Sequence, residues 1–133
     1  MDTLETAVNW NNLAVAVEAI EDAVRNAVPG LPVHVFTHMS HIYPQGASIY
    51  TSYVFPNRED YAATLDAWRH LKKAASEAVV ASGGTISHQH GVGRDHAPYL
   101  KAEKGPLGMA AIKTLVQHFD PEGVINPGVL LED

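Results

Sequence analysis

"LPVHVFTHMSHIYPQGASIYTSYVF", residues 31–55, decides how this chain folds. In its first half apolar and polar side chains alternate, sending Val33 and Val35 to one side and His34, Phe36 and His38 to the other, which is the two-residue period of a strand. Pro44 and Gly46 in "YPQGA" supply a tight connection. Alternation then resumes, with Ile49, Thr51, Tyr53 and Phe55 on one face and Tyr50, Ser52 and Val54 on the other. Two such runs with a short turn between them predict an antiparallel hairpin.

Working outward, the flanks read as helices. Leu13, Val17, Ile20, Val24 and Val28 recur at three- and four-residue steps, which predicts a helix over residues 4–28 ended by Pro29-Gly30. After the hairpin, Asn57 is the expected cap of a helix with Asp60 in its first turn. Its apolar face runs through Tyr61, Leu65, Trp68, Leu71 or Lys72, Ala75 and Val79, and it stops at Gly83-Gly84. A short helix is expected around residues 95–103, and Pro106 opens another whose stripe is Ile112, Leu115, Val116 and Phe119, broken by Asp120-Pro121. The fold class is therefore α+β: a small ferredoxin-like antiparallel sheet with helices on one face, plus C-terminal helices. Two strands alone make a marginal sheet, so a third is expected from Thr85–Ser87 or from a partner domain.

Composition narrows the function. A chain of 133 residues, 46% hydrophobic, suits one compact domain. Its net charge of −6, with basic residues scattered apart from Lys72-Lys73, argues against nucleic acid or an anionic membrane as partner. The absence of cysteine removes disulfides, thiolate nucleophiles and Cys-based zinc sites. "MDTLETAVNW" does not read as a signal peptide, and no apolar run approaches the roughly 18 residues of a membrane span, so a cytoplasmic protein is expected.

The chemistry concentrates in "GGTISHQHGVG", residues 83–93. Of the 8 histidines, His34, His38 and His41 lie on or just after the first hairpin strand, while His88 and His90 lie between glycines. Residues two apart in an extended segment share a side, so the two groups would converge if their segments were neighbours. Neither group contains an acid to serve as ligand or orienting partner, and no metal is expected on that ground. Ser87 beside His88 lacks the G-x-S-x-G elbow of a hydrolase. "HGVGRD" sets two glycines and a cation before a helix start, a pattern that brings backbone close to a flat or anionic ligand, and equally one that merely permits turns.

Together, "GGTISHQHGVGRDHAPYL" and "GMAAIKTLVQHFDPEGVINPG" resemble the C-terminal region of FAD-linked oxidases of the vanillyl-alcohol-oxidase type. Within that superfamily "FTHMSHIYPQGASIY" resembles alkyldihydroxyacetonephosphate synthase and its bacterial relatives most closely. The resemblance implies that residues 1–133 are a substrate-side cap, inactive without an N-terminal domain that holds most of the FAD and has no counterpart here. It implies catalytic roles for His90 and His88, and cofactor contacts from His90, Gly91, Gly93 and Asn126. Substrate contacts fall to Arg94, Arg58, Tyr50 and His38, for a small hydroxy acid or phosphate-bearing molecule, with Tyr53 and Tyr43 as further lining. Gln89 replaces the middle of three consecutive histidines in the synthase, and Asn57 stands in place of its proton-transferring tyrosine, which counts against the ether-forming reaction. The positions that hold zinc in related hydroxyacid dehydrogenases correspond to His38, Tyr50 and Gln89, leaving a single ligand type. A cap also implies an exposed apolar face and self-association as a homo-oligomer. The rival reading is a stand-alone module binding a small anion or metal through the histidine loop.

Overall fold

The hairpin forms as expected, but it is completed by a strand that the periodicity assigns to a helix. The computed structural model describes residues 1–131. In order, these form β1 (Asp2–Asn9), a 3-10 turn (Trp10–Asn12), α1 (Leu13–Asn26), β2 (His34–Ile42), β3 (Gly46–Val54), α2 (Tyr61–Ala81) and α3 (Gly93–Phe119). The sheet order is β1-β3-β2, antiparallel throughout.

The expected helix over residues 4–28 is thus correct for α1 and wrong for residues 4–9. "DTLETAVN" also alternates, with Leu4, Thr6 and Val8 facing the core, and it pairs with β3 from Asp2↔Tyr53 to Asn9↔Gly46. Leu, Glu and Ala favour a helix locally, but the unpaired edge of β3 offers a full ladder of backbone hydrogen bonds and a core-facing side for Leu4 and Val8, so tertiary pairing prevails.

Thr85–Ser87 is likewise not the third strand. It runs along the outer edge of β1, held by Thr85 N donating to Ala7 O at 3.2 Å and His88 N donating to Glu5 O at 3.0 Å. The Thr6 hydroxyl donates to Thr85 O at 2.7 Å. This approach requires Gly84, since a Cβ there would stand 2.4 Å from Thr6 Oγ1 and 3.2 Å from Val8 Cγ1.

Helices cover one face of the sheet. Ala16, Ile20 and Val24 of α1, with Leu71, Ala75 and Val79 of α2, pack on Leu4, Val8, Val35, Ile49 and Tyr53. Tyr61, expected on that stripe, is exposed. The α2 cap is Asp60 rather than Asn57: its carboxylate accepts from Ala63 N at 2.7 Å, three residues on, where a cap side chain meets the first free N–H groups. The two expected C-terminal helices are both present within α3, separated at Gly105, whose φ +65° and ψ 176° are non-helical, just before Pro106. Beyond the kink Ile112 packs against the core, whereas Leu115 is 59% and Phe119 76% exposed, so only the start of that stripe is covered. No helix among the described residues is long and apolar enough to cross a membrane.

Asp2 ties β1 to the helical layer. Its carboxylate accepts from Tyr53 Oη at 2.9 Å, Trp68 Nε1 at 2.8 Å and Lys72 Nζ at 3.2 Å, and from Thr3 N at 2.7 Å. Desolvation is the largest influence and raises its pKa, but the Thr3 N–H, the Trp68 N–H, the Lys72 charge and the Tyr53 hydroxyl together hold it below the ordinary 3.8. A depressed folded-state pKa gives stability that is complete above the unfolded value and lost as pH falls through the folded one. Replacing Asp2 with Ala is expected to cost about 2 kcal/mol at neutral pH, because buried Tyr53 loses its acceptor. Urea denaturation of both proteins should find this difference shrinking as pH falls below 3.8.

Candidate functional site: a buried carboxylate among histidines

The face of the sheet opposite the helices carries Glu5 of β1, Ser48 and Tyr50 of β3 and His38 of β2, with the apolar Phe36 beside them. Unbroken alternation would send His41 to the other face with Val35. A β-bulge between Met39 and His41 shifts the register instead, so that His41 pairs with Ser48 and joins Ser40, whose hydroxyl reaches Glu5. The bulge thereby adds His41 to the polar face.

Glu5 is the centre of this face, although its side chain is only 3% exposed. Ser40 Oγ donates to Oε1 at 2.5 Å and stands 2.7 Å from Ser48 Oγ. His41 Nδ1 lies 3.6 Å from Oε1, and His90 Nε2 lies 3.3 Å from Oε2. Burial is the largest influence on the carboxyl and raises its pKa. The Ser40 hydroxyl, the His88 charge, the Ser48 hydroxyl and the His90 charge outweigh it, leaving the group below its ordinary value and ionised at neutral pH.

The rings around it interlock. Tyr43 Oη is 2.9 Å from His88 Nε2, and Tyr43 stacks on His41 at 6.3 Å. His38 stacks on Tyr50 at 5.2 Å, and His90 meets Tyr50 edge-on at 5.4 Å. Glu5, His41 and His88 bring one ligand atom each to within 4.8 Å of one another.

The loop owes its shape to left-handed backbone at Gln89, φ +63°, Gly91, φ +73°, and Gly93, φ +58°. Ser87 Oγ closes it by donating to Gly91 O at 2.6 Å. On the α3 side, Glu103 Oε2 accepts from Ile86 N at 2.8 Å and Thr85 Oγ1 at 3.0 Å.

Of the residues singled out in the sequence, His38, Tyr50, His88 and His90 converge, together with His41 and Tyr43. Gly91 and Gly93 shape the loop; Asn126, φ +46°, lies in the C-terminal turn, whose Leu130 N reaches back to Gly93 O at 3.4 Å. Arg94 is exposed in the first turn of α3. Arg58 lies elsewhere, against Glu59 and in a concavity with Val28, Ala63 and His70 between α1 and α2. Tyr53 faces the helices and does not line this face. Sequence reasoning misses Glu5, Ser40 and Ser48. The alternation of Thr3, Glu5 and Ala7 against Leu4, Thr6 and Val8 is the available signal for Glu5, and it supplies the acid that neither histidine group contains.

A family model described as "FAD linked oxidases, C-terminal domain" matches residues 1–130. Among curated proteins, the chain is 26% identical over 133 residues to alkyldihydroxyacetonephosphate synthase of Dictyostelium discoideum, covering 98% of this chain and 21% of that protein. It is 26% identical over 137 residues to an uncharacterized FAD-linked oxidoreductase of Escherichia coli, covering 96% and 27%. A solved structure of alkyldihydroxyacetonephosphate synthase superposes with a TM-score of 0.55 at 23% identity, over 95% of this chain and 20% of the other, which supports the α+β fold. The chain thus spans about a fifth of the length of the synthases it matches.

The loop geometry has a measurable consequence. A Cβ at Gly91 meets nothing within 4 Å, so Gly91→Ala is strained by its positive φ alone. The variant should lose about 1–2 kcal/mol in chemical denaturation, with native circular dichroism retained.

Proposed function

The chain belongs to the family of FAD-linked oxidase C-terminal domains, and we propose that it is the substrate-side cap of an FAD-dependent oxidoreductase. In this reading the Glu5–histidine face lies over a flavin held mainly by a separate flavin-binding domain, and the cap by itself is inactive. The observation that carries the reading is an ionised, buried carboxylate surrounded by imidazoles on a sheet face that no helix among the described residues covers. A catalytic cluster needs its reacting atoms shielded from water, and an open face supplies half of that enclosure. Phe36, 46% exposed, adds apolar surface to this face on the neighbouring strand, as a docking face requires.

The side chains fit a flat ring better than a phosphate tail. His38, Tyr50 and His90 present ring faces and edges, while the charges felt by Glu5 come from imidazoles and not from an ammonium or guanidinium. FAD, when bound, supplies the hydride acceptor.

His90 is the base for the substrate hydroxyl. Its Nε2 faces Glu5 Oε2, so the carboxylate holds that nitrogen as the donor and leaves Nδ1 to take a proton. His88, held by Tyr43, orients the same loop, and Gly91 and Gly93 bring its backbone toward the cofactor, with Asn126 beside them through the Gly93–Leu130 contact. Tyr50 and His38 contact the substrate, and Arg94 pairs with its carboxylate or phosphate. Arg58, in the concavity between α1 and α2, stands apart from this face and takes no part in the reading. Asn57, with no phenolic acid, favours oxidation of a small hydroxy acid over ether formation.

In the polypeptide or complex that joins this domain to its flavin-binding domain, His90→Ala is expected to keep FAD bound, by its visible spectrum. Anaerobic reduction of the flavin by substrate should slow by at least about 100-fold. Undiminished reduction removes His90 from the chemistry.

A further inference from the structure

We propose that Glu5, His41 and His88 form a site for a divalent transition metal of the zinc class, with one coordination position open to water or to an oxygen of a small-molecule ligand. The case against a metal was that neither histidine group contains an acid. β1 removes it by placing Glu5 between His41, delivered by the bulge, and His88, delivered by the loop.

Three observations support the site. The first is distance: metal–ligand bonds of about 2.0–2.2 Å hold the ligand atoms of a tetrahedral ion roughly 3.3–3.5 Å apart. Glu5 Oε1 and His41 Nδ1 are already 3.6 Å apart, and all three ligand atoms fall within 4.8 Å. Small rotations of His41, which is exposed, and of half-buried His88 close the remainder. The second is orientation: Ser40 holds the Glu5 carboxylate at 2.5 Å, and Tyr43 holds His88 at Nε2, 2.9 Å away, which leaves Nδ1 of that ring as the ligand, while Ser48 Oγ, 3.3 Å from His41 Nδ1, marks the nitrogen that the metal would take over. The third is charge. Glu5 is 3% exposed and, among the described residues, its ion-pair partners are the imidazoles of His41 and His90, so a dication would balance a carboxylate that lacks a permanently charged partner.

Two imidazoles and one carboxylate are the ligands of a site that keeps an open position, in contrast to the closed four-ligand sets of structural zinc. The open side faces solvent through His41, on the face proposed to receive substrate. The site differs from the positions His38, Tyr50 and Gln89, and it does not depend on flavin.

The metal-free 133-residue chain should be titrated with Co2+ by visible absorption and with Zn2+ by calorimetry. The expected result is one ion per chain, with d–d bands of a four- or five-coordinate site. His41→Ala and His88→Ala should each weaken binding by more than about 100-fold, Tyr43→Phe by about tenfold, and His38→Ala or His70→Ala by less than about twofold. Glu5→Gln should also abolish binding; if this buried variant does not fold, the two histidine variants decide. No saturable binding at millimolar metal, or binding unchanged in His41→Ala and His88→Ala, overturns the proposal and leaves Glu5 as the ion-pair partner of the histidines. Because the titration contains no flavin, its failure is separate from failure of the cap reading.

Discussion

One buried carboxylate organises the polar half of this domain. Taking the charge of Glu5 out of water costs several kcal/mol unless polar groups replace its hydration, and the groups that do so come from every neighbouring segment. Ser40 and, through a bulge, His41 come from β2, Ser48 stands on β3, and His90 comes from the glycine loop. The main chain of Glu5 also accepts the His88 N–H, so a single residue fixes the loop with its backbone and meets the loop's side chains with its carboxylate. Removing that residue would leave the serines and imidazoles without the group that orders them.

The two faces of the sheet have different physical tasks. On one, Leu4, Val8, Ile49 and Tyr53 meet α1 and α2, and apolar burial there holds the fold, reinforced by the Asp2 clamp on Tyr53, Trp68 and Lys72. On the other, the strand alternation places Glu5, Ser48, Tyr50 and His38, which bury little apolar surface. That division leaves the second face available for chemistry. It also suits a family whose members carry this domain beside other sequence, since the matched synthases are about five times longer than the chain.

Much of the fold is legible in the order of the amino acids. The hairpin is plain because apolar and polar side chains alternate along much of its sequence and its turn carries Pro44 and Gly46. The second and third helices are bounded by residues that stop helices: Gly83 after α2, and Gly105-Pro106 at the kink of α3. The misreadings are linked. Taking residues 4–9 as helix hides Glu5, leaves the sheet short of a strand, and sends the search for that strand to Thr85–Ser87, which borders β1 with only two backbone bonds. With Glu5 hidden, the histidines are left without an acid.

By itself the sequence determined the periods of most elements, the points where they end, and a loop at His88–Gly93 whose backbone needs the glycines it has. These are local properties, set by φ/ψ preference and by side-chain spacing over a few residues. Tertiary structure alone decided that residues 2–9 pair with β3, that a bulge turns His41 to the polar face, and that Glu5 meets groups as distant in sequence as His90. Such choices turn on pairing energy and charge compensation between segments far apart in sequence, which no local pattern encodes.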